Sequence, residues 1–312
     1  MKILLLASGE FAIPTLELLA DKRPEVELLL ISQPDRNKGR GRKTAPTPAR
    51  EAALKLGLEN ATPKSVNSPE GRQLIADFAP DYLVLVDYGV KLSPETIALP
   101  KSAAINLHPS LLPAYRGPAP MPWALINGEP ITGVTTQLIG EKIDCGHILL
   151  QEPTFIFDHE TLPQLTKRLS LFGASLVWRT ISELNNKTLE PKPQDERLAS
   201  IAPKFKKEDG LIDWQTPAAA LFNRIRGLNP WPGTYTFLRG KRVKIISVDS
   251  TTETCLLPPG TLRAEGNKLL VGCGQASTLS IEELQLAGKP PRTAADFLRG
   301  HKIQADDSFK NR

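Results

Sequence analysis

Four short apolar segments in the first third of this 312-residue chain set the strongest limit on its fold. Each is five or six residues long and is apolar at nearly every position; they are Lys2–Leu6, Val26–Ile31, Asp81–Val86 and Ala103–Leu107. Strands buried on both faces have this composition, and such strands are typical of parallel sheets. The pattern therefore predicts a βαβ series.

The segments between and after these runs complete the prediction for the first domain. Apolar residues three and four apart indicate helices at Thr15–Leu19, Ala49–Leu56, Pro69–Phe78 and Leu162–Leu184. β-Branched residues in Ile131–Leu138 and Ile148–Phe155 predict two more strands that extend the sheet. The expected fold class is α/β, with a Rossmann-like, mostly parallel sheet.

The composition changes near Leu189. Residues 190–207 are polar and contain prolines, which predicts a linker between a first domain, residues 1–189, and a second, residues 208–312. A helix at Pro217–Arg226 and five short strands separated by glycine turns predict a small, OB-like β-barrel. The strands are Thr234–Leu238, Val243–Val248, Gly260–Arg263, Lys268–Val271 and Thr278–Leu286. Trp214 and Trp231 are expected to pack in domain cores.

Composition excludes several classes of protein. No apolar run approaches the roughly 20 residues of a membrane helix, so a cytoplasmic protein without membrane contact is expected. The three cysteines have no metal-ligand spacing, and their odd number argues against a disulfide framework. A net charge of +5 favours a phosphate-rich partner only slightly. Nothing in the pattern predicts a coiled coil or an obligate protein partner.

Asn106 and His108 stand where the fourth apolar run ends. Strand alternation places both side chains on one face, at the edge where open α/β sheets bind ligands. An amide donor beside a proton acceptor suits acyl transfer, and Asp144 is a carboxylate that could orient the imidazole. The residues by themselves leave a second interpretation open, namely a satisfied turn after a buried strand. No second His or Cys has the spacing of a zinc site, and no metal is expected.

Several motifs carry a resemblance to a known family. The run Asn106–Pro113, followed by Tyr115–Gly117 and Asp144–Gly146, resembles the active site of the 10-formyltetrahydrofolate-dependent formyltransferases. Within them the chain resembles the methionyl-tRNA formyltransferases, from SGEFAIPTLELL to PRTAADFLRG. Within the wider family, the segments QPDRNKGRGRKTAPTP and DWQTPAAALFNRIRGLNPWPGTYT favour the methionyl-tRNA formyltransferases over other members.

The resemblance implies roles for the residues of these motifs. Asn106 polarises the formyl carbonyl, His108 moves a proton from the attacking amine, and Asp144 pairs with His108 or relays the proton through water. The co-substrate is 10-formyltetrahydrofolate. Two segments are implied to hold it. One is a turn formed by Ser110, Leu111, Leu112 and Pro113, and the other is a loop formed by Asp87, Tyr88 and Gly89.

Four positions depart from the family pattern. Asp87 stands where a small residue is usual, and it adds a charge beside the expected pterin pocket. Gly140 and Lys142 stand where the family has an aspartate and a glycine. His147 occupies a position often held by aspartate or proline.

A cationic loop follows the second apolar run. It carries five basic residues and no acid after Asp35; they are Arg36, Lys38, Arg40, Arg42 and Lys43. A mobile basic loop at the edge that bears His108 suits contact with RNA phosphates. The resemblance implies that the loop enters the acceptor stem of initiator methionyl-tRNA, with Arg42 as the principal contact. Further basic residues are expected to extend the track, at Lys204, Lys206, Lys207, Arg239, Lys241, Arg242 and Lys244.

We consider three functions, ranked by how well the sequence features fit them. The first is transfer of a formyl group to the amine of methionyl-initiator tRNA, giving N-formylmethionyl-tRNA for translation initiation. The second is N-formylation of a nucleotide-linked amino sugar, which has little need for five cations in one loop. The third is a non-catalytic RNA-binding protein, against which the intact set of Asn106, His108 and Asp144 argues.

Overall fold

The computed structural model describes residues 1–38, 43–250 and 257–311, without the side chains of residues 36–38, 43 and 250. Contacts divide the chain into two compact units. Unit 1 contains Met1–Pro120, Ile131–Phe155 and Thr166–Ala202, and unit 2 contains Met121–Pro130, Ile156–Leu165 and Pro203–Arg312. The division at Ala202 falls inside the predicted linker. Two short segments of the predicted first domain group with unit 2.

Unit 1 is built around one seven-stranded sheet. Its strands and the hairpin that follows the second of them are β1 Lys2–Ala7, β2 Glu27–Ile31, β3 Arg36–Lys38, β4 Lys43–Ala45, β5 Glu59–Ala61, β6 Tyr82–Val86, β7 Ala103–His108, β8 Ile131–Leu138 and β9 Ile148–Phe155. The α-helices between residues 1 and 185 are α1 Ile13–Ala20, α2 Pro48–Lys55, α3 Pro69–Phe78, α4 Pro94–Ile97, α5 Pro120–Ile126 and α6 Leu162–Asn185.

The sheet has the order β5-β2-β1-β6-β7-β8-β9. The first five strands in this order are mutually parallel, and β8 and β9 are antiparallel additions. Strands β1 and β2 are apolar at almost every position because helices cover both faces of a parallel sheet. The carboxyl ends of β1, β6 and β7 therefore meet at one edge.

Helix starts in unit 1 follow local rules. The side chains of Thr47 and Ser68 accept hydrogen bonds from the main-chain N–H groups of Arg50 and Gly71, and a proline follows each cap. Such caps satisfy N–H groups that have no partner within the helix, and proline loses nothing at the first helical position. The α3 boundaries are those predicted.

Unit 2 contains a six-stranded antiparallel sheet. Its elements are α7 Ala218–Leu228, β10 Thr234–Leu238, β11 Lys241–Ser250, β12 Leu262–Glu265, β13 Lys268–Cys273, β14 Ser277–Leu286, β15 Arg292–Thr293 and α8 Ala294–Gly300. The main path runs β10-β11-β14-β13-β12, which leaves β10 and β12 as its two ends. Phe297 of α8 and Ile225 of α7 are buried in the core of this unit.

The C-terminal segment joins the two ends of the sheet. Main-chain hydrogen bonds run in both directions between Phe237 of β10 and Lys310 (2.9 and 3.0 Å). Leu262 N of β12 donates to Asp307 O (3.0 Å), and Phe309 N donates to Gly260 O (2.8 Å). Residues 307–310 thus act as a short closing strand, and the result is the small barrel that the strand pattern predicts.

Asp307 holds this closing segment, and its loss should weaken unit 2. The buried carboxylate accepts from Arg239 Nε (2.7 Å) and Gln304 N (2.8 Å). Because hydrogen bonds to a charged group contribute about 1.5–3 kcal/mol, Asp307→Ala should lower the free energy of unfolding by about 2 kcal/mol. Urea unfolding measures this. The neighbouring exposed Asp306→Ala is the control, and equal effects of the two variants would contradict the role of Asp307.

Two expectations need correction. The cationic loop is flanked by the paired strands β3 and β4, and β5 was not predicted, because its polar sequence Glu59–Ala61 lacks a strand pattern. Arg239 pairs with Asp307 where the barrel closes, and its place in an RNA track stays a prediction. Trp214 is buried against Phe309, as predicted, but Trp231 is half exposed.

Candidate active site

The end of β7 carries the first two residues of the site. Asn106 and His108 lie on one face of the strand, as alternation predicts, and His108 is 5% exposed. In the register with β8, Asn106 lies opposite Gln137 and His108 lies opposite Thr135. A row of amide, imidazole and hydroxyl groups therefore lines the edge of the sheet.

Asp144 connects these groups. Its Oδ1 accepts hydrogen bonds from Asn106 Nδ2 and from Gln137 Nε2, both at 3.2 Å, and lies 3.6 Å from His108 Nδ1. Its Oδ2 accepts from Gly117 N at 2.8 Å. Gly117 has φ 108°, a conformation that side-chain-bearing residues rarely adopt. The three residues predicted as catalytic therefore lie together in the structure, and Gln137 joins them.

The second ring nitrogen of His108 has a main-chain partner. Nε2 lies 2.9 Å from the carbonyl oxygen of Tyr115. A carbonyl can only accept, so Nε2 carries the hydrogen and the neutral ring presents the lone pair of Nδ1 on the side of Asp144. The Tyr115 carbonyl thus sets the tautomer, and the Asp144 carboxylate is placed to stabilise an imidazolium.

The turn Ser110–Pro113 is braced from within. The Ser110 hydroxyl donates to Ala114 O (2.6 Å), and Leu112 N donates to Thr135 Oγ1 (3.2 Å). Gln151 Nε2 donates to Leu112 O (2.9 Å). Ser110 and Leu112 are buried and satisfied, whereas Leu111 and Pro113 are partly exposed. Of the four, Leu111 and Pro113 are therefore the residues a ligand could touch.

The loop after β6 lies at the same edge, because Leu85 is paired with Asn106 in the sheet. Tyr88 is buried in the core, where burial raises the pKa of its hydroxyl to about 12. Asp87 and Gly89 face solvent. The Asp87 carboxylate lies over Gly9, which leaves no room for a side chain there.

Asp87 is partly dehydrated although its side chain touches water. Protein atoms surround the carboxylate on most sides, and this desolvation raises its pKa to about 6; nearby Glu10 adds to the shift, and the Phe11 N–H opposes it. In the folded protein the carboxyl group of Asp87, a departure from the family pattern, therefore ionises near pH 6 rather than near pH 4.

Asp87→Asn should stabilise the protein more at pH 7 than at pH 4. With a raised native pKa, ionisation lowers the free energy of unfolding as pH rises from about 4 to about 6, and the loss is complete above that range. Asparagine stays neutral and tolerates the φ of 48° at this position. We expect a gain of about 1 kcal/mol at pH 7, discounted for solvent screening.

Urea unfolding at several pH values measures this difference. Asp307→Asn should behave in the opposite way, because the hydrogen bond from Arg239 lowers the pKa of Asp307. The stability that Asp307 contributes is present above about pH 4 and is lost as pH falls. Parallel stability curves for wild type and Asp87→Asn would contradict the assignment.

Besides Gln137, the structure adds three linked residues to which sequence reasoning gave no role; they are Arg116, Gln194 and Glu196. Arg116, 6% exposed, donates from Nε and Nη2 to Gln194 Oε1 (3.0 and 2.7 Å) and from Nη1 and Nη2 to the carboxylate of Glu196 (2.9 and 2.8 Å). The hydrogen bond from Arg116 lowers the pKa of Glu196. Gln194 and Glu196 lie in the segment predicted as a linker. The only sequence signal for this group was Arg116 itself, which lies inside the Tyr115–Gly117 motif.

The predicted RNA contacts lie either in unit 2 or in a segment that is only partly described. Arg40 and Arg42 are outside the described residues, as are the side chains of Arg36, Lys38 and Lys43. The β3–β4 pair follows β2, so it leaves the sheet at the edge that bears His108. The predicted lysines at the start of unit 2 are all exposed; they are Lys204, Lys206 and Lys207.

Two general features complete the description. Within residues 1–38, 43–250 and 257–311, no group of three or more His, Cys, Asp or Glu side chains is arranged to hold a metal ion. In the same part of the chain, no helix combines the length and the apolar character needed to cross a bilayer.

Comparisons with known proteins agree with this geometry. Residues 1–181 match the Formyl transferase family, and residues 204–302 match the Formyl transferase, C-terminal domain family. A methionyl-tRNA formyltransferase of Citrifermentans bemidjiense is 41% identical over 305 residues, covering 97% of this chain and 95% of that protein. One of Thermodesulfovibrio yellowstonii is 40% identical over 308 residues and covers 98% of each chain.

Solved structures share the fold at lower identity. An N-formyltransferase from Helicobacter canadensis, in complex with folinic acid and dTDP-3-aminofucose, has a TM-score of 0.67 at 18% identity, covering 90% of this chain and 98% of that one. HypX from Aquifex aeolicus, in complex with tetrahydrofolic acid, has a TM-score of 0.64 at 17% identity, covering 95% of this chain and 46% of that one. Two family matches and full-length relatives at about 40% identity confirm the resemblance seen in the motifs. The chain belongs to the formyl transferase family.

Proposed function

We propose that this enzyme transfers the formyl group of 10-formyltetrahydrofolate to the α-amino group of methionyl-initiator tRNA. The product is N-formylmethionyl-tRNA, used in translation initiation. The observation that carries the proposal is the full-length similarity to methionyl-tRNA formyltransferases, with both family domains present. The convergence of Asn106, His108 and Asp144 supports a catalytic rather than a purely RNA-binding role.

The first step is attack of the neutral amine on the formyl carbon. A C–N bond forms, and the carbonyl π electrons move to oxygen. One N–H of Asn106 is held by Asp144 at 3.2 Å, and the second N–H can donate to the developing oxyanion. The amide is held before substrate arrives, so little reorganisation is needed during reaction.

The second step concerns the proton. His108 Nδ1 takes a proton from the nitrogen that has attacked, and the adjacent Asp144 carboxylate stabilises the resulting imidazolium. The bond between the carbon and N10 then breaks, and N10 receives that proton. The products are tetrahydrofolate and the formamide, so atoms and charge balance.

The folate-binding roles rest on exposed groups beside this centre. Leu111 and Pro113 offer apolar surface, and the Asp87 carboxylate offers an acceptor for the N–H donors of a pterin ring. Ser110, Leu112 and Tyr88 support the site from inside. A cytoplasmic location and the lack of an obligate protein partner stay predictions.

For the cationic loop, Arg42→Ala should weaken use of the tRNA without altering folate affinity. Removing one cation that pairs with a phosphate lowers the slope of log K against log salt concentration by about 1. The measurement is kcat/KM for charged tRNA between roughly 50 and 200 mM salt. Arg263→Ala, at an exposed barrel arginine paired with Glu265, is the control. An unchanged slope in Arg42→Ala would show that the loop does not bind phosphate.

The function is tested by supplying 10-formyltetrahydrofolate with either charged initiator tRNA or a dTDP-linked amino sugar. Formylation of the tRNA alone is expected. A second candidate, sugar-nucleotide N-formylation, is favoured only by the fold shared with the Helicobacter canadensis enzyme. Turnover of the amino sugar with none of the tRNA would replace the first function by the second.

A further inference from the structure

A series of hydrogen bonds links the surface of unit 1 to the main chain of the loop formed by residues 144–146, which carries Asp144. It starts at Glu196, passes through Arg116 and Gln194, and ends at the carbonyl oxygens of Asp144 and Gly146. The chain thus ends on the loop rather than on the imidazole of His108. We propose that Gln194, clamped by Arg116, is a positioning residue for the formyl transfer: it holds the 144–146 loop so that Asp144 faces Asn106 and His108.

The orientation of the Gln194 amide is determined by its partners. Arg116 has only donors, so the atom that it contacts at 2.7 and 3.0 Å must be the amide oxygen. The NH₂ group then points to the opposite side. There it meets three acceptors, Gly146 O at 2.8 Å, Asp144 O at 2.9 Å and Gln137 Oε1 at 3.2 Å. An ionised glutamate has the same size and could accept from the guanidinium, but it could not donate to the carbonyls.

The loop needs such a restraint because its backbone is unfavourable. Asp144 has φ 54°, in the left-handed region, which aspartate enters more readily than most residues but which is still less favourable than the right-handed one. Ile143 before it is exposed, so core packing of that side chain does not fix the turn. Gln194 supplies a donor to the carbonyls of Asp144 and Gly146. Gln194 also donates to Gln137 Oε1, and Gln137 Nε2 in turn donates to Asp144 Oδ1 (3.2 Å).

The clamp on Gln194 is itself well fixed. The Arg116 side chain is almost fully buried, and its planar fork makes two paired contacts that a lysine could not reproduce. The main chain around it is tied to the same segment, because Arg116 N donates to Ser200 O (2.8 Å) and Ala202 N donates to Arg116 O (2.7 Å). Residues 194–202 are therefore part of the catalytic unit.

This inference rests on the proposed formyl transfer, and two variants separate its parts. Gln194→Ala removes both roles of the amide. Gln194→Glu keeps the acceptor for Arg116 and the size of the side chain, but has no N–H for the loop. Because a displacement of about 1 Å at a reacting group can cost about 100-fold, we expect kcat to fall about 100-fold in both variants. If Gln194 only filled space or paired with Arg116, Gln194→Glu would keep a kcat close to that of wild type.

A double-mutant cycle gives the decisive comparison. If Gln194 acts through Asp144, Gln194→Ala should change kcat by less than about twofold in an Asp144→Ala background. The control is Asn229→Ala in unit 2, which removes another amide that donates to three carbonyl oxygens. It should lower stability and leave kcat unchanged. An equal loss from Gln194→Ala in both backgrounds would overturn the proposal.

Hydrogen exchange tests the same idea without turnover. In Gln194→Ala and Gln194→Glu, amides in the peptide covering residues 142–147 should exchange at least about tenfold faster than in wild type. The peptide covering β1 should not change. Unaltered exchange in residues 142–147 would overturn the positioning role even if the substrate of the wild-type enzyme proved to be different. Absence of tRNA formylation by wild type would instead refute the proposed function alone.

Discussion

His108→Ala is expected to lower kcat by about 10²–10⁴-fold while tRNA still binds. The magnitude is that of a general acid–base group acting near neutral pH. The structure gives the reason, because Tyr115 O holds the hydrogen of Nε2 and leaves the Nδ1 lone pair beside Asp144, at 3.6 Å. Methyl in place of imidazole removes the acceptor for the amine proton. Single-turnover formylation of charged initiator tRNA measures the chemical step directly.

Two comparisons make this result specific. His147→Ala changes an exposed histidine three residues after Asp144 and should leave kcat within about twofold of wild type. Asp144→Ala should cost less in a His108→Ala background than in wild type, because the imidazolium that the carboxylate stabilises is then absent and only its hold on Asn106 is lost. Near-normal turnover in His108→Ala would refute its role as the proton acceptor.

Asn106→Ala should be nearly as damaging, with a loss of about 10²–10³ in kcat. Removal of one preorganised donor to an oxyanion has effects of this size. The loss should appear in kcat more than in KM, since the hydrogen bond strengthens as charge develops on the formyl oxygen. Asn106 also donates to Asp144 Oδ1, so part of the effect comes from a less well held carboxylate.

The matched control is Asn60→Ala, also in unit 1. Its amide donates to Leu58 O (3.0 Å), and its oxygen accepts from Arg50 Nε (3.3 Å), in strand β5, which three strands separate from β7 in the sheet. This variant should lose stability but retain kcat in the folded fraction. Comparable kcat values for Asn106→Ala and wild type would show that Asn106 is not the oxyanion donor.

The strands of the parallel sheet could be predicted because local composition and burial agree there. Residues such as Leu4, Leu30 and Ile105 have no exposed surface, and apolar runs of this length are typical of buried strands. The hairpin β3–β4 was missed because glycines and basic residues interrupt it. Strand β5 was missed because it is a short, polar edge strand, with little burial to select apolar residues.

At the candidate site, the sequence predicted the groups proposed to carry the chemistry but not those that hold them in place. Asn106 and His108 share a face through the two-residue period of a strand, and a motif pointed to Asp144. Gln194 and Glu196 sit in a polar, proline-bearing segment, which is also the composition of a linker. Their role depends on Arg116, 78 and 80 residues away along the chain, and no local pattern encodes such a separation.

The amino-acid sequence by itself determined the buried strands of the parallel sheet, the two-part organisation, the family and the choice of Asn106, His108 and Asp144 as candidate catalytic residues. These follow from short-range periodicity and from contiguous motifs. The tertiary structure alone decided the tautomer of His108, the hydrogen bonds of Asp144, and closure of the barrel by residues 307–310. Each of these depends on hydrogen bonds between groups far apart in the chain, whose geometry exists only after the strands have paired and packed.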